Sequence, residues 1–161
     1  MRGTLVELLA AHDYSCSLWD NGNVCCWGLA WYGQLGIADI ADGETRNAIS
    51  DCVALPGPAD NLFVGFTGNC ATVGDQLLCW GEIGDSISST PVKIPLPAGA
   101  PTEVVLAYDA ACALHTGRVF CWGGRSVYGQ LGTGNRASIL ISGVQDMDPV
   151  DLAGEKVVQL S

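Results

Sequence analysis

The side chains in this 161-residue sequence that could carry distinctive chemistry are eight cysteines, two histidines and five tryptophans, with two Gly-Gln-Leu-Gly segments beside them. Thiolates and imidazoles suggest a metal first. No Cys-x-x-Cys occurs, however, and His12 and His115 stand alone, so the ligand spacing of a zinc site is missing. Nucleophilic catalysis fits no better: neither His12-Asp13 nor His115 has a nucleophile at a recognisable triad spacing. Gly33-Gln34-Leu35-Gly36 and Gly129-Gln130-Leu131-Gly132 share only glycine content with phosphate loops. They lack the Lys-Ser/Thr that follows in a P-loop and the strand-to-helix setting, and they read as turns. The sequence predicts no enzyme, no cofactor and no metal.

The cysteines recur in a pattern that points to pairing. Cys16 and Cys26, Cys70 and Cys79, and Cys112 and Cys121 each bracket a short segment, and the second cysteine is always followed by Trp-Gly: Trp27-Gly28, Trp80-Gly81 and Trp122-Gly123. A two-residue turn at Thr116-Gly117 places Cys112 opposite Cys121, with Ala113/Phe120, Leu114/Val119 and His115/Arg118 as the remaining pairs. A Gly74-Asp75 turn does the same for Cys70 and Cys79. The first copy has one residue more between its cysteines, and a three-residue Asp20-Asn21-Gly22 loop absorbs it while keeping Cys16 opposite Cys26. Opposed residues on antiparallel strands lie within disulfide reach, so three cross-strand bridges are expected. Cys25 and Cys52 are left over, and pairing them completes the set. The alternative for all eight is reduced thiols packed between sheets as small hydrophobes.

These hairpins need partners. An apolar segment precedes each: Leu5 to Ala10, Asn61 to Gly65, and Glu103 to Ala107. Along the strands one face carries Cys16, Leu18, Val24 and Cys26, with Cys70, Thr72, Leu77 and Cys79, and then Cys112, Leu114, Val119 and Cys121, as its counterparts. The opposite face is also partly apolar, which suits sheets stacked on neighbours from both sides. The tryptophans of Cys-Trp-Gly fall at 27, 80 and 122, spacings of 53 and 42 residues, the size of a four-stranded propeller blade or solenoid unit. The units run about 5–60, 61–102 and 103–155, and 156–161 read as the opening strand of a further unit. A tryptophan at a fixed place in every unit is expected to be blade packing. Trp19 and Trp31 each occur once and are the better candidates for contact with a partner.

Net charge is −10, from 17 acidic and 7 basic side chains, which disfavours nucleic acid and anionic membranes as partners. No run approaches the ~20 apolar residues of a membrane helix, so direct insertion is not expected. The N-terminus, broken by Glu7, is too short for a signal peptide's apolar region, while eight cysteines suit oxidising surroundings. A piece of a longer chain reconciles the two.

Taken together, Cys112-Ala113-Leu114, Gly117, Val119, Trp122-Gly123 and Tyr128-Gly129-Gln130-Leu131-Gly132 resemble the repeat of the regulator of chromosome condensation family. The paired cysteines look most like its extracellular and bacterial members, including crinkly-type receptor kinases. The resemblance implies an all-β, seven-bladed propeller of which this chain supplies about three blades. The remaining blades, or self-association, would then cover the free faces. It departs from the family where a glycine and a histidine usually precede the first cysteine: Ala11 and Ala107 hold glycine positions, and Tyr14, Gly68 and Ala110 hold histidine positions. The second unit has Glu82-Ile83-Gly84-Asp85 in place of the Tyr-Gly-Gln-Leu-Gly segment. By this resemblance the protein is a protein-binding scaffold for an unidentified partner, extracellular or at the cell surface, with a cytoplasmic location as the alternative. Loops 36–50 and 133–142 are its expected contacts. Guanine-nucleotide exchange on a small GTPase and inhibition of a secreted hydrolase are the alternatives that the same family implies.

Overall fold

A computed structural model of the chain describes residues 3–38, 44–46, 51–108, 110–124, 128–132, 149–150, 152, 155 and 157–160. The regular elements among the described residues are strands, arranged in three antiparallel sheets. The first sheet runs in chain order through β1 (Leu5–Ala10), β2 (Tyr14–Trp19), β3 (Val24–Leu29) and β4 (Thr45–Arg46). The second contains β5 (Asn61–Val64), β6 (Gly68–Val73), β7 (Gln76–Ile83) and β8 (Ser86–Ile94). The third contains β9 (Glu103–Leu106), β10 (Ala110–His115) and β11 (Arg118–Gly123). Residues 133–148, which follow this sheet in the chain, lie outside the described residues.

The central hairpin of each sheet has the register that its turn residues dictate. Cys16 faces Cys26, Cys70 faces Cys79 and Cys112 faces Cys121. The turns work because glycine accepts positive φ: Gly22 at 76° in the three-residue loop, and Gly74 and Gly117 in the two-residue turns at 54° and 76°. All eight cysteines are in disulfides, Cys16–Cys26, Cys70–Cys79 and Cys112–Cys121 within hairpins, and Cys25–Cys52. The last bridge is of a different kind. Val53 donates its N–H to the Val24 carbonyl, so the irregular segment around Cys52 lies beside β3 and the bridge ties the two together. The third sheet makes the same contact, Val150 N–H to the Val119 carbonyl, and the second makes it within the ladder as Leu77 opposite Ile94.

Sheets stack so that the disulfide face of one meets the tryptophan face of the next. Cys16, Leu18, Val24 and Cys26 pack with Ala71 and Trp80. Cys70, Leu77 and Cys79 pack with Ala111, Ala113, Phe120 and Trp122. The third disulfide face, with Leu114, Val119 and Cys121, packs with Leu131, Val150, Val157 and Leu160. Burying each such layer is the main stabilising term, since the strands themselves are short and their edges are polar. Residues 157–160 thus take a packing position, but no strand forms there. The opening strands β1, β5 and β9 are each hydrogen-bonded to the hairpin that follows them.

The second unit's departure has a structural consequence. With Glu82-Ile83-Gly84-Asp85 in place of a long loop, β7 runs directly into β8 through a tight turn at Gly84-Asp85, Gly84 having φ of 62°. The β7–β8 register shifts between Cys79 and Gly81. That leaves Ser88 and Ser89 as a backbone shelf against Gly33 of the first unit, where a Cβ would stand 2.8–2.9 Å from them.

Candidate functional site

Two features at one end of the sheets set this region apart: a buried polar knot between the first and second blades, and an exposed row of aromatic rings above it.

The knot starts from the Gly33-Gln34-Leu35-Gly36 turn. Both glycines have φ of 70°, and the Gly36 N–H closes the turn on the Gly33 carbonyl at 3.0 Å. The turn enters the second blade, with Gln34 and Leu35 buried. There the Gln34 backbone carbonyl accepts two hydrogen bonds, from Asn69 Nδ2 at 2.8 Å and from Trp80 Nε1 at 3.1 Å. The Gln34 side chain braces its own loop, its Oε1 accepting from the Tyr32 N–H at 2.7 Å. Asn69 Oδ1 lies 2.8 Å from the Tyr14 hydroxyl, which is also 2.9 Å from the Gly65 carbonyl oxygen. Burial pushes the Tyr14 phenol well above the usual tyrosine range, against a smaller opposing effect from Asn69, so the hydroxyl stays protonated as a donor. Tyr14, expected from the sequence to hold a histidine position of the repeat, uses its hydroxyl to bond the neighbouring blade.

The aromatic row is built by three equivalent turns. Ala11 N–H bonds the Tyr14 carbonyl, Gly65 N–H the Gly68 carbonyl, and Ala107 N–H the Ala110 carbonyl, at 2.9, 2.9 and 2.8 Å. The second residue of each turn is aromatic: His12, Phe66 and Tyr108. Their rings form a line across three blades, His12 to Phe66 at 4.9 Å and Phe66 to Tyr108 at 5.8 Å between centroids, the latter edge to face. Phe66 is 46% exposed and Tyr108 52%. Beside the row, a cleft of about 310 Å³ is lined by His12, Asp13, Trp31, Tyr32 and Phe66 over a floor that includes Tyr14 and Gln34. Trp31 is 55% exposed, and Asp13 Oδ2 is 2.6 Å from His12 Nδ1. Exposed rings held on rigid turns present large apolar area with little rotamer freedom to lose on contact, the composition of an interaction surface.

The residues singled out from sequence separate clearly. Trp80 and Trp122 are buried between blades, while Trp27 is half-buried. Gly28, Gly81 and Gly123 close the β-ladders opposite Tyr14, Gly68 and Ala110. Leu131 is buried, and the Gly132 N–H closes its turn on Gly129 at 3.0 Å, as Gly36 does on Gly33. Gln130 Oε1 accepts from the Tyr128 N–H at 3.2 Å, as Gln34 does from Tyr32. Trp31 lines the cleft. Trp19 sits at the far end of β2, half-buried, donating its indole N–H to Ser17 Oγ at 3.0 Å. Of loops 36–50 and 133–142, only 36–38 and 44–46 are described. Sequence reasoning missed Phe66 and Tyr108 and set His12 aside. A signal existed: each stands two residues before the residue that faces the glycine of Cys-Trp-Gly. Three different side chains at one repeat position hide that equivalence unless the units are aligned by strand pairing.

Residues 116–161 match the family model for the Regulator of chromosome condensation (RCC1) repeat. Human WBSCR16 is similar in structure over 96% of this chain and 41% of its own, with a TM-score of 0.71 and 21% identity. Prp20p from Saccharomyces cerevisiae is similar over 93% of this chain and 39% of its own, at a TM-score of 0.72 and 15% identity. A second structure of that yeast protein, with Kap60, gives a TM-score of 0.72 over 93% of this chain and 38% of its own. The chain spans about two fifths of the length of these proteins. The fold is that of RCC1-type β-propeller repeats.

Proposed function

We propose that this stretch of RCC1-type propeller is a protein-binding scaffold that recognises its partner through the aromatic end of its blades. One observation carries the reading. Three equivalent turns in three blades each present an aromatic ring, and the rings form a continuous exposed line. Trp31 belongs to the same surface, whereas Trp19, at the other end of its strand, serves as a contact only if the partner reaches that end. The repeat units of about 5–60, 61–102 and 103–155 act as the frame, and loops 36–50 and 133–142 extend the contact. Further blades or a second copy would complete the ring. Four disulfides favour an extracellular or cell-surface setting. Mass spectrometry of native protein with and without reductant tests that setting, and eight free thiols would overturn it.

The binding reading is tested by crosslinked capture with wild type, with the Phe66→Ala/Tyr108→Ala pair, and with Asp75→Ala in the turn at the opposite end. Loss of the captured partner in the first variant alone supports it. Retention in that variant overturns it. A second reading draws on Prp20p, which has binding properties toward Gsp1p and histones: guanine-nucleotide exchange on a small GTPase. Accelerated nucleotide release from a GTPase panel would put that reading first.

A further inference from the structure

The cleft beside the aromatic row has a composition that specifies more than apolar contact. It brings Trp31 and Tyr32, from the turn after β3, together with Phe66 of the second blade and the His12–Asp13 pair of the first. A second cleft, of about 360 Å³, shares His12 and Asp13 on the other side of the same turn. Among the described residues neither cleft is lined by lysine or arginine. Asp13 supplies a half-exposed carboxylate, and the whole chain carries −10. Aromatic faces are electron-rich and attract cations through the ring quadrupole. A water-accessible carboxylate nearby adds to that attraction without the cost of a buried charge.

Resting on the binding reading above, the geometry points to a specific anchor: a lysine or arginine side chain of a basic segment in the partner protein. It enters the cleft between Trp31 and Phe66, with Asp13 as counter-charge. The alkyl stem lies against the rings while the head group reaches the carboxylate, the usual division of labour in these long side chains. The floor suits this role because it does not adjust. Tyr14 and Gln34 are fixed by the knot, and Tyr32 is held through its own N–H on Gln34 Oε1. The rest of the basic segment then follows the row from His12 over Phe66 to Tyr108.

The test uses an acetylated, amidated peptide of alternating glycine and arginine, and a second in which citrulline, neutral and nearly isosteric, replaces arginine. Fluorescence anisotropy at physiological salt compares wild type with Trp31→Ala, Phe66→Leu, Asp13→Asn and Trp19→Phe, the last as a control away from the cleft. Thermal unfolding of each variant establishes that it is folded. The arginine peptide is expected to bind at least tenfold more tightly than the citrulline peptide. Trp31→Ala and Phe66→Leu, which leave net charge unchanged, are each expected to weaken it by roughly five- to thirtyfold, and Trp19→Phe to leave it unchanged. Equal binding of the two peptides would overturn the inference. So would arginine binding that survives both ring substitutions, because that is diffuse attraction to an acidic protein. If the arginine peptide fails while Phe66→Ala/Tyr108→Ala still abolishes partner capture, the cation anchor is wrong and the aromatic surface stands.

Discussion

The two blade junctions solve the same packing problem in different ways. Between the first and second blades, a Gly-Gln-Leu-Gly turn enters the interface, and its Gln34 carbonyl takes the indole N–H of Trp80 and the amide of Asn69. Between the second and third, that turn is replaced by the tight β7–β8 connection, whose Gly84-Asp85 corner packs on Gly124. Alanine, Ala111, stands where Asn69 stood, paired with Trp122 as Asn69 is with Trp80. Trp122 is as buried as Trp80, yet its Nε1 has no hydrogen-bond partner among the described residues. The polar components are lost as a set while the ring remains. The repeated tryptophan is therefore kept for volume, and its N–H is used only where a neighbouring unit offers a carbonyl. A buried N–H without a partner forgoes part of the stability that its twin contributes.

That contrast can be broken from the first junction. Gly36→Ala has the largest expected effect. Its Cβ would stand 2.9 Å from both Trp80 Nε1 and Val53 Cγ2 at a φ of 70°, and strain plus overpacking should cost about 3 kcal/mol. Gly117→Ala, at positive φ but with nothing within 4 Å of its Cβ, should cost only about 1–2 kcal/mol in chemical denaturation. Asn69→Ala removes a bonding partner from both Tyr14 and the Gln34 carbonyl, and should cost about 2–3 kcal/mol.

Tyr14→Phe should cost about 1 kcal/mol at neutral pH. It also changes the pH dependence. The phenol's folded pKa is raised by burial, so the proton is held by the native state and released by the unfolded one once pH exceeds about 10. Wild-type stability should therefore fall as pH rises above that point, and the phenylalanine variant should lack this component of the slope. The smallest effect is expected away from the junctions. Phe66→Leu on the exposed row should lower stability by less than about 1 kcal/mol, since it loses ring contacts but little burial. A large loss there would make the row part of the core instead of a surface.

The hairpins were legible because their information is local. Gly22, Gly74 and Gly117 set turn length, turn length sets register, and register opposes the cysteines. The packing role of Trp80 and Trp122 followed from repetition. Less was legible where backbone atoms act, since a carbonyl such as that of Gln34 leaves no mark in residue type. The sequence showed that the second unit lacks its Gly-Gln-Leu-Gly turn, but not that Trp122 would thereby lose a hydrogen-bond acceptor 40 residues downstream. The aromatic row was hidden for the opposite reason. His12, Phe66 and Tyr108 agree in position and in being rings, but in no single residue identity.

The most direct test of the junction account is a matched pair of denaturation curves for Trp80→Phe and Trp122→Phe. Both substitutions remove similar buried volume, while only the first removes a hydrogen bond and leaves the Gln34 carbonyl short of a donor. Trp80→Phe should be the more destabilising by about 1 kcal/mol or more. Equal losses, or a larger loss at Trp122, would contradict the claim that a polar knot holds Trp80 at the first junction, whereas at the second, bridged by the Gly84 N–H to the Tyr108 carbonyl at 3.3 Å, the Trp122 indole is held by packing alone.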